Sequence, residues 1–407
     1  MIGILVKNEL RKLLRRSKTW IIFGLFIAAL LLIGVGNYFG GKSMEKYNSP
    51  ESKIENINNE VEYIEKDYLS SSKDLQNKDP EKYEQMTNRV NDLKNEKTSL
   101  ENAIKDPSKS KDLWKVQLDG QIKDLENQLK DDTMPERYKG QIKTELTQLN
   151  YLKDNNIKPV NDWELNSYNY IKSVMQILGV FLLGIGIALF MSDIVSGECT
   201  PATLKFLLIQ PISRGKVILS KFIAVCITSV TMILSTEILG FIIVGLFKGF
   251  GNSNYPMTFG SKFQYDLSKI EDGIHPLIEI ANSTTMISLS QFTLRAFLLQ
   301  ALYIIACCSF VFMVSSLVKS SMTSMAIATS VLIACNIFNN VFAFFRKISF
   351  LLFTSFGTPS DLLTGQIAIF YNKPFITLGF GIIVMLCWIV GCYLIAHFVF
   401  KKKDILI

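Results

Sequence analysis

Six stretches of this chain run for 20 residues or more with at most one acid, lysine or arginine each: 20–39, 171–191, 222–247, 292–318, 322–345 and 375–400. A helix of roughly 20 apolar residues covers the ~30 Å of a bilayer's hydrocarbon core. In hydrocarbon, every backbone N–H and C=O must be satisfied within the segment, so spans of this composition fold as helices. The pattern therefore sets the fold class before any motif is sought: an all-α integral membrane protein with six transmembrane helices. A seventh apolar stretch, 348–371, is interrupted by Gly357 and Pro359 and holds Asp361. It reads as a re-entrant hairpin that enters the membrane from one side.

Charge sets an expected orientation. The basic flank before the first span, KNELRKLLRRSK, should hold the N-terminus in the cytoplasm. Its length and the lack of a small-residue cleavage pattern argue against a removed signal peptide. Six crossings return the C-terminus to the cytoplasm, beside Lys401, Lys402 and Lys403. Arg346 and Lys347 then fall on the outer side, against the trend. Residues 2–18 carry two stripes. Ile2, Val6, Leu10 and Leu13 form an apolar one, and Lys7, Arg11, Arg15 and Lys18 a basic one. Such a helix lies on the membrane surface, although the same charge could serve only to orient the chain.

The chain thus divides into 1–40, a surface helix and first span; 41–170, an extracytoplasmic polar region; and 171–407, spans two to six. The last part has a loop on the cytoplasmic side at 192–216 and an outer loop at 248–291. Region 41–170 has 21 basic and 26 acidic residues, a net of −5, while the rest has 22 and 10, a net of +12. The overall +7 is therefore a basic membrane rim facing anionic lipid and not a nucleic-acid surface. Within 41–170 apolar residues recur every three or four positions, as in Ile54, Ile57, Val61 and Ile64, or Leu118, Ile122, Leu125 and Leu129. That spacing suits coiled-coil-like helices packed along a narrow seam. Start signals pairing a capping residue with proline stand at Ser49-Pro50, Asp79-Pro80, Asp106-Pro107 and Thr133-Met134-Pro135. About four helices folded back as antiparallel hairpins are expected; a flexible charged linker is the alternative.

No enzyme motif is present. The two histidines, His275 and His397, are far apart, no phosphate-binding loop occurs, and no CxxC pair suggests a metal. The seven cysteines are Cys199, Cys226, Cys307, Cys308, Cys335, Cys387 and Cys392, none of them in 41–170. Glu237 lies near the middle of the third span, where an ionised carboxylate is costly. It either lines a substrate path or is a neutral acid hydrogen-bonded to Ser235, Thr236 or a neighbouring helix. The small-residue runs GVGNYFGG, with Gly36 and Gly40 spaced as GxxxG, and LGVFLLGIGIAL permit close helix packing.

The loop SDIVSGECTPATLKFLLIQPISRGKVILSK carries leucines at helical spacing, Leu204, Leu207 and Leu208, before Pro211 stops that helix and Ser213 can cap the next. It resembles the first cytoplasmic loop of ABC-2-type transporter permeases. In that family the loop reads E-x-x-x-G-T-L, a leucine-rich turn, then P-[IV]-S-R and a lysine. Here those positions are Glu198, Ala202, Thr203, Leu204, Pro211, Ile212, Ser213, Arg214 and Lys221, with Ala202 replacing the usual glycine.

The resemblance implies the membrane permease of an ABC exporter. ATP and Mg would be bound by a separate ATPase and no cofactor by this chain. Two ATPases and a second permease chain, as a homodimer, would be the partners, in a bacterial cell membrane. It implies a coupling helix seated on the ATPase, with Glu198, Thr203, Leu204, Leu207, Pro211, Ser213 and Arg214 as coupling residues. Arg214 could instead meet a lipid headgroup. The N-terminal helix would be the family's elbow helix. The substrate would be amphipathic: a peptide, lipid, drug or ion. A membrane scaffold or sensor whose outer helices bind a partner is the other reading, and ion-coupled transport through Glu237 a third.

Overall fold

The computed structural model describes residues 2–66, 80–105, 113–130, 134, 136–198, 213–268, 270, 273–280 and 283–402. The chain divides into two compact units: Met1–Val35 with Asn166–Ile407, and Gly36–Leu165. It opens with α1 (Ile2–Leu14), followed by α2 (Ser17–Tyr47). The turn between them is held by side chains. The Thr19 hydroxyl donates to Leu13 O at 2.7 Å and the Trp20 indole to Leu14 O at 2.8 Å, serving carbonyls that the end of α1 leaves open.

Unit 36–165 contains α3 (Pro50–Tyr63), α4 (Pro80–Lys105), α5 (Leu113–Leu129) and α6 (Glu136–Asp154). The prolines at 50 and 80 open their helices. For α3, Ser49 accepts from the Ser52 N–H at 3.3 Å, a side-chain cap with proline in the first turn. The longest of these four, α4, has 26 residues and reaches ~39 Å at 1.5 Å per residue. Ile57 and Ile64 pack with Val90, Leu93 and Leu100, as the spacing requires. Direction differs between the pairs. Glu60–Arg89 and Glu65–Lys94 both join residues 29 apart, so the contact steps forward together and α3 runs alongside α4 in the same direction, not folded back on it. Between α4 and α5 the pairs Arg89–Asp124 and Asp92–Lys123 step in opposite senses, the signature of a hairpin.

The other unit continues with α7 (Ser167–Ile177), a π-helical turn (Leu178–Leu182) and α8 (Leu183–Met191). A 3₁₀ turn (Ser196–Glu198) follows, then α9 (Arg214–Lys248). Next come β1 (Pro256–Phe259), β2 (Phe263–Tyr265), β3 (Leu277–Glu279) and β4 (Thr285–Ser288), then α10 (Leu289–Leu317) and α11 (Ser321–Val341). The short helices α12 (Ala343–Ser349), α13 (Pro359–Thr364) and α14 (Gln366–Tyr371) lead to α15 (Leu378–Lys402). Among the described residues five helices are long and apolar enough to cross a membrane: α2, α9, α10, α11 and α15. The expected span 171–191 is helical throughout but segmented, α7–π–α8. At the π turn, backbone meets backbone. A Cβ built on Gly179 would stand 2.8 Å from the carbonyl carbon of Gly357, and one on Gly357 3.0 Å from that of Gly179. Two glycines allow this approach, and the extra residue of a π turn is a common device where a helix accommodates an intruding neighbour.

The stretch 248–291 is not merely a loop. β1 pairs antiparallel with β4, Pro256 opposite Ser288, and β2 with β3, Phe263 opposite Glu279. Phe263 and Leu277 bury their side chains against Ala368 of α14. The expected hairpin 348–371 is a chain of short helices turned at Gly365, whose φ of +85° is the left-handed conformation glycine tolerates. The basic residue that runs against the charge trend has a local task. Arg346 donates to the carbonyls of Asn339 at 3.2 Å and Asn340 at 3.0 Å, at the C-terminal end of α11, and stacks over Phe370 at 4.8 Å. Of the glycines in GVGNYFGG, a Cβ on Gly34 would stand 3.4 Å from the Tyr170 ring and one on Gly41 2.6 Å from Trp163 O, while one on Gly36 or Gly40 would meet no described atom within 4 Å.

Candidate functional site

Of the expected coupling residues, Thr203, Leu204, Leu207 and Pro211 lie outside the described residues. Glu198 closes the 3₁₀ turn, and only its backbone is described. Ser213 stands at the N-cap position of α9 with extended backbone, φ −65° and ψ 137°. Its hydroxyl makes no cap bond, so the first turn of α9 rests on backbone: the Lys216 N–H donates to Ser213 O at 2.9 Å. The Arg214 guanidinium donates to the backbone oxygen of Lys401 at 3.4 Å, tying the start of α9 to the end of α15.

Most of the residues that anchor the two ends of the loop lie outside the expected coupling set. At the first end, Ser315 of α10 is fully buried. Its hydroxyl donates to Ser192 O at 2.7 Å and accepts the N–H groups of Val195 and Ser196, each at 3.1 Å. One hydroxyl so fixes three backbone groups of a turn that has left the helical ladder. Beside it, Asp193 pairs with Lys18 Nζ at 3.0 Å and with Arg16 at 3.4 Å, linking the turn to the start of α2.

At the other end, Lys221 is 1% exposed on α9, and its ammonium lies 2.9 Å from Glu9 Oε1 of α1. A buried ammonium is tolerable only with such a partner. A sequence signal for the pair exists: Glu9 is the only acid among the first 18 residues, and Lys221 ends the loop pattern. His397 packs against Gly215 in the first turn of α9. Thus α1, α9, α10, α15 and the start of α2 all converge where the loop leaves and re-enters the bundle.

Glu237 sits deeper on α9 and is fully buried. Its partner is neither Ser235 nor Thr236, whose hydroxyls bond to carbonyls of their own helix. Gln300 of α10, itself fully buried, donates its amide to Glu237 Oε1 at 2.8 Å. Tyr170 of α7 lies against the same part of α9, touching the Cα side of Gly240, and its hydroxyl donates to Leu30 O at 3.3 Å. A separate cavity of about 180 Å³ lies among α2, the π turn, α8 and α9. Its walls are almost entirely apolar, with Phe23, Phe26, Leu182, Phe190 and Met232 among them, and Glu237 is not one of its lining residues.

A bundle of apolar helices with an amphipathic helix at its N-terminus defines a multi-pass membrane protein. The family model for ABC-2 family transporter proteins matches residues 4–405, and the chain belongs to that family. It is the permease component of an ABC transporter, a transmembrane subunit that associates with an ATPase subunit. No curated protein matches the chain.

Proposed function

We propose that this permease exports an amphipathic substrate and that the loop 192–216 is where a separate ATPase pushes. The N- and C-termini and this loop lie in the cytoplasm, residues 41–170 lie outside, and the segment 171–191 crosses the membrane in addition to the five long helices. Two ATPases and two copies of this chain form the working unit in a bacterial cell membrane. ATP and Mg belong to the ATPase.

The observation that carries this reading is the bracing of the loop at both ends. Ser315 and the Asp193 pairs hold its first turn to α10 and α2, and Lys221–Glu9 and Arg214–Lys401 hold its last turn to α1 and α15. A loop that only connected two spans would need none of this. A force on a segment so tied moves several helices together, and the required bias between two states is only a few kcal/mol. The apolar cavity beside α2 suits the hydrocarbon part of an amphipathic substrate. Glu198, Thr203, Leu204, Leu207, Pro211 and Ser213 supply the docking surface, and Arg214 braces it.

The test is co-purification of the ATPase, and its ATP turnover, with Glu198→Ala and Arg214→Ala permeases of unchanged folded yield. We expect turnover to fall about tenfold, equivalent to ~1.4 kcal/mol of lost coupling. Undiminished turnover in both variants excludes the docking role. A chain that functions with no ATPase at all would return the outer helices to the leading part, as a scaffold or sensor.

A further inference from the structure

We propose that Glu237 and Gln300 form a proton-binding site inside the bundle, the proton residing on Glu237 Oε2 and bridging to Gln300 Oε1. This goes beyond the ATPase-driven reading and does not depend on it. The argument is one of hydrogen-bond supply. Both side chains are 0% exposed. Gln300 Nε2 donates to Glu237 Oε1 at 2.8 Å, while Glu237 Oε2 and Gln300 Oε1 are both buried with no hydrogen-bond partner. An ionised carboxylate only accepts, so two buried oxygens would be left unserved beside a full charge in a span. One proton supplies the one donor that both oxygens lack. The carboxyl and the carboxamide then close a ring of two hydrogen bonds joining α9 to α10.

The charged groups on the surrounding helices lie away from the pair along their helices or meet other partners; Lys248 is 11 residues from Glu237 along α9, ~17 Å. On α9, Lys221 pairs with Glu9 of α1, 16 residues and ~24 Å from Glu237 along the helix. On α10, Arg295 stacks over Phe259 at 4.4 Å. On α15, His397 lies against Gly215, and Lys401 meets Arg214 through its backbone. On α7, Tyr170 is the titratable neighbour that faces Glu237, and its hydroxyl donates to Leu30. Lys172, two positions on, points to a different side of that helix. A metal cation would need several more oxygens than this pair presents. With the proton bound, the pair fastens α9 to α10. With it released to water, the carboxylate draws in solvent and the two helices part more readily.

The test uses the full chain in lipid nanodiscs at neutral pH, read by infrared difference spectroscopy. Glu237 is the only acid in the six apolar stretches, so a protonated-carboxyl C=O band shielded from solvent is assignable. We expect that band in the wild type, its loss in Glu237→Gln, and its displacement in Gln300→Leu. Loss of a carboxylate band in Glu237→Gln would overturn the proposal. So would disappearance of the C=O band on adding sodium chloride, but not choline chloride, at constant pH, which would mark a metal site. Thermal unfolding gives a second measure. The Gln side chain offers the same donor and acceptor as a neutral acid, so Glu237→Gln should melt close to the wild type while Glu237→Ala melts lower. Equal losses in the two variants would mean that the charge, not the proton, is needed. Should neither variant fold, the wild-type band alone decides: its presence at neutral pH supports the site and its absence sinks it.

Discussion

Lys221 and Glu9 meet at 2.9 Å across 212 residues of chain, and the lysine is the more deeply buried of the two. The pair ties the surface helix α1 to α9 at the point where the loop returns to the bundle. A buried pair of this kind is weak as a source of net stability, because both ions lose water, but breaking it leaves one charge stranded. Lys221→Met or Glu9→Leu alone should therefore destabilise the protein by about 3 kcal/mol, and the double change Glu9→Leu with Lys221→Met should recover most of that loss. Thermal unfolding of the four proteins in one detergent forms the cycle. Additive losses in the double variant would show that the two residues act independently.

The close approach of Gly179 and Gly357 makes a steric prediction. A methyl group at either position enters the other's backbone, and backbone cannot rotate away as a side chain can. Gly179→Ala and Gly357→Ala should each cost about 1–3 kcal/mol, the usual penalty for overpacking, or prevent folding. Gly36→Ala is the control, since a Cβ there meets nothing within 4 Å. In an exposed helix interior, that change should be neutral or slightly stabilising. Folded yield by size-exclusion profile separates the cases. Equal yields for all three variants would show that the π turn does not arise from the contact between these two glycines.

How much of this can be read from sequence depends on the range of the interaction. The helices α3 and α4 open on Pro50 and Pro80 because capping and proline geometry act within one turn, whereas Asp106, Pro107, Thr133 and Pro135 lie outside the described residues. The long spans are legible because hydropathy over 20 residues dominates any single contact. The parallel course of α3 beside α4 is not legible, since apolar spacing gives a seam without a direction. Nor is the segmentation at 178–182, where the helix meets Gly357, a residue far along the chain. The small strands at 256–288 escape because three- and four-residue pairings are decided by what covers them, here Ala368 and its neighbours. Glu237 is conspicuous in the sequence, yet its partner is not, because an intramembrane acid can be served from any adjoining helix. Ser315 gives no signal, as a serine in an apolar helix is unremarkable until the turn it holds is known. Arg346 counts against the expected orientation by charge alone, and the local task of its guanidinium at the end of a neighbouring helix is not legible in sequence.

The helical unit 36–165 should respond to alkaline pH through one pair. Lys153 lies 2.7 Å from Asp119, joining α6 to α5. The hydrogen bond to Asp119, and then its charge, push the Lys153 ammonium above the ordinary lysine range. A cation raised in the folded state contributes its stabilisation in full below the unfolded lysine value, and that contribution fades as pH rises through the folded one. Acidification toward neutral pH therefore leaves this lysine's contribution intact, and only strongly alkaline solution removes it. The effect is small, since both partners face solvent, and salt screens it further. Limited proteolysis within α5 and α6 of the full chain reads it. Lys153→Met should be cut faster than the wild type at neutral pH and low salt, and the difference should close as pH is raised or salt is added. A difference that stays constant across the alkaline range would assign the effect to packing of the lysine stem and not to its charge.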